Sequence, residues 1–237
     1  SHSLIEEFML LANETVAKEL RKRRLPGIHR VHPDPDPENL EELRAFVSLY
    51  DLSCGDLTNR KEVTKLLASI HKHPLAQVLR IKFLRSLKQA CYRATPDGHY
   101  GLAKQDYLHF TSPIRRYPDL IVHRIVKKYL KHKCTKKEKK PLLSSLHEIS
   151  EQSTQMEIQA MSIERDIISL RKAEFMMDKI GKTFYGTITG VTGFGFFVEL
   201  ENIFTEGLVK ISSITDDYYL FIEPEHKLIG QKRYRVF

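Results

Sequence analysis

From Ser3 to Arg24 the apolar residues Ile5, Phe8, Met9, Ala12 and Val16 recur at helical spacing, and Leu4, Leu10 and Leu11 widen the stripe. That period predicts an amphipathic helix. The stretch His32–Glu38 carries Pro33, Pro35 and Pro37, which lack amide donors and restrict their neighbours, so it cannot be helical. Asp36 or Asn39 can cap a following helix through Leu40, Leu43, Phe46 and Val47 to about Tyr50. Two more helical stretches are predicted, from Arg60 to Ile70 and from about Leu75 to Tyr92. Asp97–Leu102 is a turn feeding a short extended segment. Pro118 suits the first position of a helix that continues through Leu120, Ile121, Val122, Ile125 and Val126. The lysine-rich run from Lys127 to Lys140 reads as a helix end and a solvated loop, followed by a long helix from about Leu142 to Lys179. After Gly181 the period becomes strand-like over Thr183–Val191, Phe194–Leu200 and Gly207–Ile211, with glycine turns between. The change of texture near residue 178 predicts an α+β chain: a mainly helical part over 1–177 and a small β-barrel over 178–237.

Bulk properties narrow this picture. The 237 residues are 41% hydrophobic and 29% charged, as expected for a folded protein with one large core or two modest ones. Charges interrupt every apolar stretch well short of a membrane span, and Glu6 and Glu7 break the first one, so neither a membrane helix nor a signal peptide is expected. Cys54, Cys91 and Cys134 are scattered and form no CxxC pair, which argues against a disulfide framework and for a reducing cytoplasm. The net charge of +8 favours polyanions, because binding a phosphate chain releases its condensed counterions.

The segment Thr111-Ser112-Pro113-Ile114-Arg115-Arg116-Tyr117-Pro118-Asp119 concentrates the candidate chemistry. Two prolines stiffen the loop, and two hydroxyls and two guanidinium groups stand just before a helix N-terminus, whose free amides favour an anion. An arginine can grip a phosphate through two parallel hydrogen bonds. The competing reading is that Arg115 or Arg116 pairs with Asp119 and only braces the turn. Spacing leaves both open.

His99-Tyr100-Gly101-Leu102-Ala103, followed by the run from His109 to Leu120, resembles the signature of the ribonuclease R and ribonuclease II catalytic domain, the RNB domain. The resemblance implies that the arginine loop lies beside the RNA end and that Arg115 contacts a phosphate near the cleaved bond. Arg116, Thr111, Ser112 and Tyr117 become RNA-binding candidates with it. Ile5 to Asn13 resembles the family too, which implies that Glu7, preferred over Glu6, bonds the ribose of the terminal nucleotides, where a 2′-hydroxyl distinguishes RNA from DNA. A structural hydrogen bond or salt bridge is the competing role for that carboxylate, and Asn13 is read as structural.

Gly181–Ile188, Gly193–Leu200 and Gly207–Ser212 resemble an S1-type OB domain, a barrel that stacks single-stranded RNA on exposed aromatics. Motif position implies Phe194 and Phe197 as stacking residues, with a place in the barrel core as the alternative for each. Lys210, where many such domains carry His, supplies a phosphate-seeking charge. Tyr218 and Tyr219 are expected in a loop. The resemblance predicts about two further strands to close the barrel after Phe237.

Family members hydrolyse RNA from the 3′ end to nucleoside 5′-monophosphates, and are expected to use Mg2+ held by closely spaced aspartates. In the family those aspartates precede the helix that begins this chain, and neither Asp34 with Asp36 nor Asp216 with Asp217 replaces them. The resemblance therefore implies a processive exoribonuclease as the complete protein and no metal bound by these residues. This chain alone is expected to be an inactive, weak binder of single-stranded RNA, monomeric and not membrane-bound. A non-catalytic RNA-binding protein retaining the scaffold is the alternative.

Overall fold

The computed structural model describes residues 2–130, 134–201, 203, 205–223 and 227–237. Its contacts form two compact units, one of Ser1–Arg44, Asp56–Arg60 and Ile81–Glu164, the other of Ala45–Gly55, Lys61–Arg80 and Arg165–Phe237.

In the first unit, α1 (His2–Lys22) packs through Asn13, Ala17 and Leu20, three buried positions at four- and three-residue spacing. The predicted stripe is covered only in part. Val16 packs on the core, whereas Ile5 and Phe8 are 57% and 59% exposed. Periodicity tells which residues share a face, not what covers it. The short strands β1 (His29–Val31) and β2 (Cys91–Arg93) pair antiparallel, with Arg30 opposite Tyr92. This corrects the helix expected to reach Tyr92: α4 (Ala76–Ser86) stops earlier. Three residues are too few to display a strand period.

Helix α5 (Tyr117–Tyr129) is the spine of this unit. Ile121, Val122, Ile125 and Tyr129 are buried along it, and Pro118 sits in its first turn, one place after the first position expected of it because the helix opens at Tyr117. The long helix α6 (Lys136–Met177) begins six residues before the predicted start. Thr135 and Glu138 explain this. The Glu138 carboxylate accepts from the Thr135 amide at 3.0 Å and the Thr135 hydroxyl accepts from the Glu138 amide at 3.4 Å. That reciprocal pair is a capping box that starts a helix inside a lysine run. The Thr135 hydrogen bonds and then Lys128 hold the Glu138 carboxyl down to about 2. Lys131–Lys133 of the expected loop lie outside the described residues.

The second unit holds α2 (Pro37–Ser48) in its last turn, α3 (Arg60–Lys72) from its second residue and the first half of α4, with Val47, Val63, Leu66, Ile70 and Leu79 buried. Its β-part comprises β3 (Gly186–Thr192), β4 (Gly195–Leu200) and β5 (Glu206–Lys210) in one antiparallel sheet. Strands β6 (Tyr219–Ile222) and β7 (Lys227–Gly230) form a second sheet. Phe237 pairs with Leu228 through two backbone hydrogen bonds of 2.9 and 3.0 Å and stacks on Phe196 at 4.7 Å. Tyr219, expected in a loop, instead opens β6 and is buried in the core with Phe196 and Leu228. Its hydroxyl donates to Asp216, which turns an amphipathic ring inward. Gly195 cannot be replaced freely, because a Cβ there would lie 2.2 Å from the Val209 carbonyl oxygen. Gln77 on α4 donates to Glu199 on β4 at 3.0 Å. No described helix is long and apolar enough to cross a membrane.

Candidate nucleic-acid interface

Asp119, in the first turn of α5, organises the arginine loop. It is fully buried, and its Oδ1 accepts from the Ser112 amide at 2.9 Å and from the Arg116 guanidinium at 2.8 Å. The loop is closed further by the Arg116 amide, which donates to the Ser112 carbonyl at 3.1 Å. Arg116 therefore takes the bracing role that spacing left to either arginine. Arg115 does not. It is exposed, and among the described residues its side chain forms no ion pair or hydrogen bond. Thr111 and Ser112 are half-buried below it, and Tyr117 is exposed beside it.

A hydrogen-bonded layer supports this loop. Asn13 is buried and has the structural role expected of it: its amide nitrogen donates to the Tyr107 hydroxyl at 3.1 Å and its oxygen accepts from the Phe110 amide at 2.9 Å. Helix α1 is thereby fixed to the start of the motif. Phe110 stacks on His123 at 3.9 Å, and that imidazole donates to the Phe110 carbonyl at 2.9 Å.

Glu7 is exposed and, among the described residues, neither it nor Glu6 forms an ion pair. At about 100° per residue, Glu6 shares the face of Asn13, two turns away, and Glu7 that of Glu14. Glu14 is engaged by Lys18 at 2.5 Å and by Lys104.

Behind the loop stands a wall of rings. The centroids of Tyr92 and Tyr107 lie 5.7 and 5.9 Å from that of His109, both edge-on, and His99 meets Tyr107 at 5.3 Å. The Tyr92 hydroxyl and His109 Nδ1 are 3.0 Å apart. The Arg30 guanidinium sits 4.7 Å over the Tyr92 ring and pairs with Glu157 of α6 at 2.5 Å. Burial, reinforced by Arg116, Arg30, His99 and Arg115, pushes His109 down to about 3; burial and then His32 bring His99 down to about 4. Burial lifts the Tyr92 hydroxyl to about 12. The sequence did not single out Tyr92, Arg30 or Glu157 as partners: Arg30 and Glu157 are 127 residues apart, and Tyr92 had been placed on a helix.

On the β-part, Phe196 and Phe197 take opposite faces of β4, and Phe194 stands in the turn before it. Phe196 points into the core, whereas Phe194 is 60% exposed and meets the half-buried Phe197 edge-on at 6.4 Å. Leu208 lies opposite Phe197, and the exposed Lys210 opposite Gly195. Phe194, Leu208, Lys210 and Tyr218 line an open recess of about 480 Å³. An aromatic shelf with an adjacent cation suits a base and its phosphate.

Among the described residues, no three His, Cys, Asp or Glu side chains converge as a metal site would require. Asp36 pairs with Lys88 at 2.5 Å. Asp216 accepts from Tyr219 and Arg235, each at 3.0 Å, and Asp217 from the backbone amides of Tyr218, Lys232 and Arg233. These carboxylates are already engaged and do not fit a magnesium pair.

Two domain profiles match this chain. The RNB domain profile matches residues 1–132 and the S1 RNA binding domain profile residues 177–236. Ribonuclease R of Aquifex aeolicus is 42% identical over 239 residues, covering 100% of this chain and 34% of the relative; that of Escherichia coli is 38% identical, covering 98% and 30%. The chain thus spans about a third of the length of these curated relatives. Among solved structures, Mycoplasma genitalium RNase R in complex with ribose methylated single-stranded RNA superposes with a TM-score of 0.89 at 31% identity, over 100% of this chain and 38% of the other. The fold is also that of yeast Ssd1, a pseudonuclease, with a TM-score of 0.75 at 20% identity, over 96% of this chain and 29% of that one. With the RNB profile alone covering more than half of its 237 residues, the chain belongs to the RNB domain family.

Proposed function

We propose that this chain is the RNA-gripping part of a processive 3′-to-5′ exoribonuclease, which hydrolyses single-stranded RNA to nucleoside 5′-monophosphates in a reducing cytoplasm. The observation that carries this reading is the division of labour between adjacent arginines. Arg116 is tied to the buried Asp119, so the loop is held, and Arg115 is left exposed at the head of α5 with its guanidinium unengaged among the described residues. A fixed loop bearing a free guanidinium beside a helix N-terminus is pre-organised for a phosphate. Thr111, Ser112 and Tyr117 flank that position, Glu7 is the ribose candidate, and Phe194, Phe197 and Lys210 offer bases and phosphates a second foothold. The ribonuclease R names of its relatives and the RNA held by the Mycoplasma neighbour support the same substrate class. Magnesium would supply water activation in the complete enzyme, but Asp36, Asp216 and Asp217 are already engaged and do not fit it.

Binding of a 3′-labelled single-stranded RNA to the 237-residue chain tests the reading. Arg115→Ala should weaken binding at the 3′ end, and Phe194→Ala should weaken it by about 1–3 kcal/mol for any sequence. Glu7→Gln, with Glu6→Gln as its counterpart, should narrow the preference for RNA over DNA. If neither Arg115→Ala nor Phe194→Ala changes affinity, the site is wrongly assigned. Incubated with magnesium and RNA, this chain should release no monophosphates.

A further inference from the structure

His109 has a buried side and an open side. Its ring is wedged between Tyr92 and Tyr107, and Nδ1 meets the Tyr92 hydroxyl at 3.0 Å. Nε2 has no hydrogen-bond partner among the described residues. The residue itself is half-buried, unlike the enclosed His29. The tautomer follows from Tyr92. That hydroxyl is buried, keeps its proton, and has no other acceptor among the described residues; if Nδ1 carried the hydrogen, the tyrosine proton would be stranded at a cost of about 1–3 kcal/mol. Tyr92 therefore donates to Nδ1, and the imidazole hydrogen sits on Nε2, the open side.

We infer that His109 is a further RNA contact, a neutral donor whose Nε2–H hydrogen-bonds an oxygen of the RNA backbone beside Arg115. This rests on the reading of the arginine loop given above. The groups around the ring are Arg30, Arg115, Arg116 and His99, with the Tyr92 and Tyr107 rings; the loop's carboxylate Asp119 is taken up by Arg116. Burial and those guanidinium groups keep the ring uncharged down to about pH 3, so the contact is a donor of fixed form through the neutral range. A backbone oxygen is the partner because it is the acceptor that a strand held by Arg115 brings past this position on every nucleotide, whatever its base.

The test is RNA affinity of the 237-residue chain. His109→Phe keeps the ring packing and removes the donor; it should weaken binding roughly 3- to 10-fold, the range of one net hydrogen bond. His109→Gln, which can present an amide N–H at the same reach, should recover most of the loss. The factor should be the same at pH 5.5 and pH 8, whereas a charged histidine would bind more tightly in acid. Long-range proton–nitrogen spectra of the free chain should show Nε2 protonated and Nδ1 bare. Equal losses on RNA and DNA oligomers assign the oxygen to phosphate; a loss confined to RNA assigns it to the ribose 2′-hydroxyl. Unchanged affinity in His109→Phe alongside a loss in Arg115→Ala overturns this contact and leaves the arginine site standing. No loss in Arg115→Ala overturns the reading beneath it, and an Nδ1-protonated ring overturns the tautomer and the proposal with it.

Discussion

Asp119 is enclosed by protein on all sides, and a carboxylate there is tolerated because the Ser112 amide and the Arg116 guanidinium both reach its Oδ1. Removing the carboxylate leaves the mostly covered Arg116 side chain without its anion and the Ser112 amide without its acceptor. Asp119→Ala should lower unfolding free energy by about 3 kcal/mol, the scale of a buried pair losing one member. Arg115→Ala, four residues before Asp119, should change it by no more than about 0.5 kcal/mol, because among the described residues its side chain has no hydrogen-bond or ion-pair partner. Urea denaturation separates the two; comparable losses would mean that Arg115 is a structural residue after all. The sequence presents both arginines within one turn of Asp119, and no propensity chooses between them. In the fold Arg116 is the extended residue just before α5, φ −126° and ψ 115°, and its guanidinium reaches Asp119. A dihedral of this kind is set by the packing beneath the loop, which is why spacing alone left the roles open.

At the scale of elements, the strands of the S1 part show what a pattern can carry. Gly195-Phe196-Phe197-Val198 alternates faces, so of two adjacent phenylalanines only Phe196 enters the core, against Phe237 and Tyr219. Phe196→Ala should therefore destabilise this part by about 3–5 kcal/mol, as large-to-small core changes do, and reduce RNA affinity only by unfolding it. Phe194→Ala should leave the melting temperature nearly unchanged while lowering affinity. Thermal melts followed by circular dichroism, set beside the binding data, check which ring is buried; the opposite pairing of effects would place the turn residue Phe194 inside and Phe196 of β4 outside. Long elements were legible for the same reason that the alternation of β4 is: α1, α3, α5 and the three strands β3–β5 repeat their period often enough to be seen. The pair β1 and β2 was not, since three residues show no period and their pairing spans about sixty residues of chain. The start of α6 was legible in principle, through Thr135 and Glu138, but the surrounding lysines suggested a solvated loop.

At the scale of the whole molecule the governing quantity is charge, +8 over 237 residues, and it gives an experiment that the individual contacts cannot. Each phosphate neutralised by a lysine or arginine releases counterions, so the logarithm of affinity falls linearly with the logarithm of salt, with a slope of about −0.7 per contact on single strands. A base stacked on an aromatic ring releases almost none. The two kinds of contact read here therefore leave different marks on one titration. Arg115→Ala should make the slope shallower by about 0.7, so that its deficit shrinks as salt rises. Phe194→Ala should give a line parallel to the wild type, displaced downward by the same factor at every salt concentration. His109→Phe, which removes an uncharged donor, should also run parallel. The measurement needs only the intact chain and a single-stranded oligonucleotide between low and moderate ionic strength. Were Arg115→Ala to run parallel to the wild type, its guanidinium would not be neutralising a phosphate, however exposed it stands at the head of α5, and the polyanion would have to be held by the lysines elsewhere on the surface.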